Sequence, residues 1–138
     1  YFNALFGKSF SREQDNPINA ALNYGYAILL SAVNREILSL GYITQLGLNH
    51  CNQFNPYNLG SDLMEPLRGF VDAVVIKLRP IEFDRNVKLS LIELLSEDVK
   101  INDTVQTFSA AIRIYCKSVF DALRTHDANQ IRFIEYEL

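Results

Sequence analysis

The residues best suited to chemistry are His50, which ends the turn Gly47-Leu48-Asn49-His50, and two acids, Asp62 and Glu65, that follow it across a loop at the start of a helical segment. An imidazole on a loop facing carboxylates at a helix terminus is the donor set of a divalent ion that keeps open positions for phosphate oxygens and water. Spaced three apart, Asp62 and Glu65 can face one side of a single helical turn. The same residues admit a plainer reading, in which the loop histidine is a hydrogen-bonding group and the acids complement a helix dipole. Lys8, Arg12 and Arg68 are the bases placed to grip phosphates: two flank the opening of a polar link, and one lies a turn beyond Glu65. Ser9 and Ser11 lack the histidine and acid partners of a nucleophile. His126 reads as an exposed helix-end residue and Cys51 as a partly buried structural thiol, and there is no glycine-rich phosphate cradle.

The elements that must position these groups read as helices. Residues 1 to 6 are the end of a helix closed by Gly7, and residues 7 to 16 form the polar link. Asn16-Pro17 has the pattern of an N-cap followed by proline at the first helical position. From there to about residue 40, Leu22, Tyr26, Leu29, Leu30, Val33 and Ile37 recur at three- and four-residue steps, with Asn19, Asn23 and Asn34 as a polar stripe and Gly41 as the stop. Residues 42 to 60 carry turn chemistry and predict a long loop, with one short helix near its start and partial anchoring by Phe54 and Tyr57. Helices follow over 61 to 78, 87 to 95 and 108 to 123, the last with Phe108, Ile112, Tyr115, Val119 and Leu123 on one face. Residues 99 to 107 fit either a small hairpin or a turn leading directly into a helix, the second being preferred. Residues 130 to 138 alternate as a short C-terminal strand and also admit a frayed helix. The expected fold is mainly α, a compact helical domain over residues 1 to 138, with at most the hairpin at 99 to 107 and the short C-terminal strand as β structure.

Composition bounds this picture. With 49% apolar residues in 138, the chain can bury a core of one domain. Two cysteines without Cys-x-x-Cys spacing point to a reducing, cytoplasmic setting. No apolar run approaches the roughly 18 residues of a membrane span, and the start lacks a basic-then-apolar leader. A formal net charge of −3 does not announce a nucleic-acid binder. The chain opens within a helical pattern and its only methionine is Met64, so it reads as a segment cut from a longer protein.

The order of segments carries a resemblance. Tyr1-Phe2 closing a helix, then Asn16-Pro17-Ile18-Asn19-Ala20-Ala21-Leu22-Asn23-Tyr24-Gly25-Tyr26, Gly47-Leu48-Asn49-His50, and Asp62-Leu63-Met64-Glu65-Pro66-Leu67-Arg68 with Asp72 resemble the helical C-terminal lobe of the CRISPR-associated adaptation integrase. The detail is most similar to the version in type II systems, those with a single large effector nuclease. The resemblance implies a metal-dependent DNA endonuclease and integrase that inserts spacers into CRISPR arrays by phosphodiester transfer. It implies His50 and Glu65 as catalytic metal ligands for Mg or Mn, with Asp62 as a supporting acid. The family's first glutamate falls upstream of Tyr1, as does a β-rich dimerisation lobe, so this chain alone is expected to be inactive. The implied partners are double-stranded DNA with 3′ ends (prespacer and CRISPR repeat), a small dimeric adaptation protein and, in the intact protein, a second copy, with no membrane. The alternative is a non-catalytic helical interaction module in which the His50 loop docks a protein and the acids cap a helix.

Overall fold

The structure, a computed structural model, describes residues 1 to 135. Helix α1 (Phe2–Phe6) ends at Gly7, whose φ of +102° is the left-handed backbone that favours glycine. Helix α2 (Pro17–Ser39) starts as the sequence predicts: the Asn16 side chain accepts from the Asn19 N–H at 2.9 Å and Pro17 takes the first position. This helix is the centre of the fold. It packs against α3 (Asn58–Met64), α4 (Arg68–Leu78), α5 (Arg85–Glu93) and α6 (Phe108–Thr125), so its Leu22, Leu29, Val33 and Ile37 are all buried. Each such side chain contributes roughly 1.5–3 kcal/mol on burial. Gly25 lets α4 approach closely, because a Cβ there would overlap the Val71 side chain.

The helix predicted over 61 to 78 begins earlier, at Asn58, and is broken. Pro66 lacks an N–H and disturbs the regular ladder, so Glu65–Leu67 form a 3-10 turn between α3 and α4. Asp62 and Glu65 therefore sit on different elements. Asp84 caps α5 by accepting from the Val87 N–H at 2.9 Å, and the helix tightens into a 3-10 turn over Leu94–Ser96.

The preferred turn at 99 to 107 is replaced by its alternative, a hairpin. Strands β1 (Asp98–Ile101) and β2 (Thr104–Thr107) pair antiparallel, with Ile101 opposite Thr104. Their two-residue connection, Asn102-Asp103, has φ of 55° and 58°, the left-handed pair that a tight hairpin turn demands and that Asn and Asp tolerate without glycine. β2 runs straight into α6, where Thr107 accepts from the Ala110 N–H at 3.3 Å. After α6 and a 3-10 turn at Ala128–Gln130, the expected C-terminal strand is reduced among the described residues to one isolated bridge between Lys100 and Glu135. Residues 136 to 138 of that expectation lie outside the described residues. The fold is mainly α, as predicted, and no described helix is long and apolar enough to cross a membrane.

Candidate active site

The segment between α2 and α3 has no regular structure, and the expected short helix near its start does not form. Its backbone groups still need partners. Buried Thr44 donates its hydroxyl to the Pro56 carbonyl at 2.8 Å and accepts the Leu59 N–H on its own carbonyl at 2.9 Å. Buried Asn58 donates from Nδ2 to the Gln45 and Asn52 carbonyls at 3.0 and 2.9 Å. Asn52 and Asn55 close local turns by accepting from the Phe54 and Tyr57 N–H groups. The predicted aromatic anchors are not anchors, since Phe54 is 84% exposed and Tyr57 is exposed too. Polar side chains do that work because a loop of this kind must satisfy backbone carbonyls before it buries apolar surface.

Asp62, in the body of α3, gathers the end of the loop. Its carboxylate accepts the backbone N–H groups of Leu48, Asn49 and His50, at 2.5, 2.9 and 3.1 Å, and its Oδ1 lies 2.5 Å from His50 Nδ1. Burial pushes this carboxyl pKa up, but the donors from Asn49, the His50 ring, and the His50 and Leu48 amides outweigh it and hold the group below the usual carboxylate range. An ionised carboxylate only accepts, so Nδ1 carries a proton, and in the neutral tautomer the lone pair is at Nε2, on a ring that is 40% exposed. That is the arrangement in which a histidine binds a metal while a carboxylate fixes its tautomer. Asp62 is thus neither a helix cap nor a dipole partner. Gly47 permits the turn: a Cβ there would overlap the His50 carbonyl oxygen and stand 2.8 Å from Asp62 Oδ2.

The second group of predicted residues assembles separately. Glu65 is exposed, and its Oε2 lies 3.1 Å from Arg68 Nε. The Nε atom is buried with no aligned hydrogen bond, so this contact is an ion pair. Arg68 and Arg12 both lie over the Tyr26 ring, their Cζ atoms 5.2 and 5.6 Å from its centroid. Arg12 also donates to Asn19 and Asn23 Oδ1 at 2.6 and 2.5 Å. The Tyr26 hydroxyl donates to one oxygen of buried Asp72 at 2.5 Å and the Tyr1 hydroxyl to the other at 2.7 Å. Burial and then the Asp72 bond raise the Tyr26 pKa, against Arg12 and Arg68, while the Asp72 bond leads in pushing Tyr1 up to about 12. Lys8 stands exposed in the link.

The structure therefore joins His50 to Asp62, and Glu65 and Arg12 to Arg68 through its ion pair and the Tyr26 ring. Among the described residues, no three His, Cys, Asp or Glu side chains surround a metal-sized point. The donor chemistry at His50 fits a divalent ion, but the ligand set is partial. Sequence spacing did not place Tyr26 beside Arg12, Arg68 and Asp72 because a phenol at a helical step reads as core; the available signal was its need for a hydroxyl partner, with Asp72 the acid available on α4. Asn19, expected in a polar stripe, is buried and donates to the Ser11 and Gln14 carbonyls, fastening the link. Cys51 is exposed rather than partly buried, since the loop turns outward there. His126 ends α6 exposed, as predicted. A cleft of about 520 Å³ between α4, α5 and the hairpin, lined by Phe70, Leu94, Val99 and Val105, includes none of the predicted site residues.

Residues 4–82, which hold every predicted site position, match the family model described as CRISPR associated protein Cas1. This chain belongs to the Cas1 family. It is 37% identical to the CRISPR-associated endonuclease Cas1 of Neisseria meningitidis serogroup C (strain 8013), an alignment covering 98% of this chain and 46% of that protein. That similarity is consistent with the type II resemblance. It is 33% identical to the CRISPR-associated endonuclease Cas1 2 of Pyrobaculum aerophilum, covering 83% of this chain and 40% of the relative. The chain spans about half the length of the curated Cas1 relatives it matches first. Its fold is shared with a solved structure of a casposase bound to integration product, with a TM-score of 0.72 and 24% identity over 94% of this chain and 45% of that one.

Proposed function

We propose that residues 1 to 138 act as one lobe of a cytoplasmic, metal-dependent DNA endonuclease and integrase that joins spacer DNA to CRISPR arrays. The observation that carries this reading is the His50 to Asp62 pair, in which a carboxylate held by three loop amides engages Nδ1 of a 40% exposed imidazole and leaves Nε2 outside that bond. Membership of the Cas1 family supports it. His50 and Glu65 are the proposed ligands of a Mg or Mn ion, Asp62 positions His50, and a third protein ligand comes from elsewhere in the whole protein. When bound, the ion supplies charge neutralisation at a phosphodiester under attack by a DNA 3′-hydroxyl or by water. Lys8, Arg12 and Arg68 hold backbone phosphates, a contact independent of base sequence and weakened by salt. The DNA is double-stranded with 3′ ends, and the whole protein works as a dimer with a small dimeric adaptation partner.

The test is Mn²⁺-dependent cleavage of duplex DNA by this chain, by a longer chain carrying the segment upstream of Tyr1, and by the longer chain with His50→Ala. We expect the short chain to be inactive, the longer one to cleave, and His50→Ala to abolish cleavage. Robust metal-dependent cleavage by the 138 residues, or full activity after His50→Ala, overturns the assignment.

A further inference from the structure

We propose that Tyr26 is a positioning residue for DNA phosphate, carrying Arg12 and Arg68 on its ring as a fixed pair of guanidiniums. The inference rests on the reading that these two arginines contact DNA, and adds the residue that sets their geometry. Both Cζ atoms lie over the same ring, at 5.6 and 5.2 Å from the centroid, although the arginines are 56 residues apart, the difference between 68 and 12. Two like charges gathered on one side chain repel each other, so the arrangement needs compensation. The Tyr26 quadrupole, the Phe2 ring that Arg12 Cζ also overlies at 5.4 Å, the Asn19 and Asn23 oxygens and the Glu65 carboxylate provide it.

The ring itself is fixed. Its hydroxyl is bonded to Asp72, which is buried and also bonded to Tyr1, so the platform is tied to α4 and to the start of the chain. Each guanidinium retains donors. Arg12 uses one N–H from each terminal nitrogen, and the Arg68 contact with Glu65 is through Nε, leaving its terminal nitrogens outside that pair. Asp72 is buried while Arg12, Arg68 and Glu65 keep exposure to solvent, so the exposed charge of the cluster is two guanidiniums against one carboxylate. A planar donor fork of that sign matches the non-bridging oxygens of a phosphodiester and would bind them whatever the base.

The experiment is fluorescence anisotropy of labelled duplex DNA with this chain over a series of salt concentrations, with thermal melts as a check on folding. Tyr26→Leu, which removes the ring, should weaken binding about tenfold and make the salt dependence shallower by the loss of about one to two phosphate contacts. Tyr26→Phe, which keeps the ring, should recover most of the affinity and the parental slope. A structural role alone would lower the melting temperature and leave the slope where it was, so a folded Tyr26→Leu chain with parental affinity and slope overturns the proposal. Should Tyr26→Leu not fold, Arg68→Lys decides: it keeps the charge but loses the planar stack, and parental binding overturns the proposal while a several-fold loss supports it. Arg12→Ala and Arg68→Ala separate the two levels. If neither alters binding, or if the parent chain does not bind, the DNA-contact reading fails and the role of Tyr26 with it; if they weaken binding while Tyr26→Leu does not, the Tyr26 role alone fails.

Discussion

Two regions gather functional groups around a single side chain, by opposite means. At the loop, the charged carboxylate of Asp62 collects backbone amides from three successive residues and orients one imidazole. Within α2, the neutral ring of Tyr26 collects two cationic side chains from distant parts of the chain. The first arrangement is local, spanning residues 47 to 62, and fails if one charge is lost, because three amides then lack an acceptor. The second is long-range, joining residues 1 to 72, and combines the face of the Tyr26 ring with two phenol hydrogen bonds to Asp72, which ionisation of a phenol would break. Asp62 accordingly gives the loop an acid-sensitive contact, and Tyr1 gives the ring cluster an alkaline-sensitive one.

The largest effect should come from Asp62→Ala. It removes the acceptor for Leu48, Asn49 and His50, and should cost roughly 2–4 kcal/mol in urea unfolding, with loss of hydrogen-exchange protection at those amides. A loss below about 1 kcal/mol with protection retained would mean that Thr44 and Asn58 hold the loop unaided. Acid should produce a milder form of the same change. The Asp62 carboxyl lies below its ordinary value of 3.8, so its stabilisation is whole above that pH and is lost as pH falls through the lower folded pKa. NMR signals of the Leu48 and Asn49 amides, followed from pH 6 to pH 3, should report it. On the other limb, the Tyr1 bond to Asp72 is whole below pH 10 and lost as pH rises through about 12, visible as a delayed tyrosinate absorbance absent from Tyr1→Phe. Next in size is Gly47→Ala, at about 1–3 kcal/mol, because the added Cβ meets backbone oxygen that has no room to move. Parental stability there would show that the turn opens without disturbing Asp62.

The same contrast explains what the sequence made legible. Asn16-Pro17, the steps from Leu22 to Ile37 and the amphipathic face of α6 are local signals, and those helices form where they point. The His50 and Asp62 pairing was legible as a loop donor facing a helix, because the turn and the helix are adjacent in the chain. Glu65 was less so: three-residue spacing promises a shared face only if the helix is regular, and Pro66 breaks it. Phe54 and Tyr57 misled because an aromatic residue in a loop signals burial only when apolar surface is within reach, and here the loop is held by Asn58 and Thr44. The Tyr1, Tyr26 and Asp72 group could not be found from spacing, since it depends on how the start of the chain and α2 meet α4.

Smaller effects test the ring cluster. Tyr26→Phe keeps the platform but takes one of two hydroxyl donors from buried Asp72, and should cost about 1–2 kcal/mol in chemical denaturation. A neutral result would mean that Tyr1 suffices to satisfy Asp72, and would confine the role of Tyr26 to its ring.

The smallest effect on stability should come from Glu65→Gln, and it is the most discriminating. Its ion pair with Arg68 is partly solvated, with side chains 57% and 38% exposed, and such pairs contribute about 0.5 kcal/mol or less. Denaturation should therefore barely change. As a proposed metal ligand, however, Glu65 should matter to Mn²⁺ affinity in the whole protein, where calorimetry should show binding weakened by about tenfold or more. Parental Mn²⁺ affinity would return Glu65 to the ring cluster as a partner of Arg68 alone. A large loss of stability would make the ion pair structural. The expected combination, a silent fold with impaired metal binding, would mean that Glu65 belongs functionally with His50 although its contact in this structure is with Arg68, and so would tie the two regions into one site.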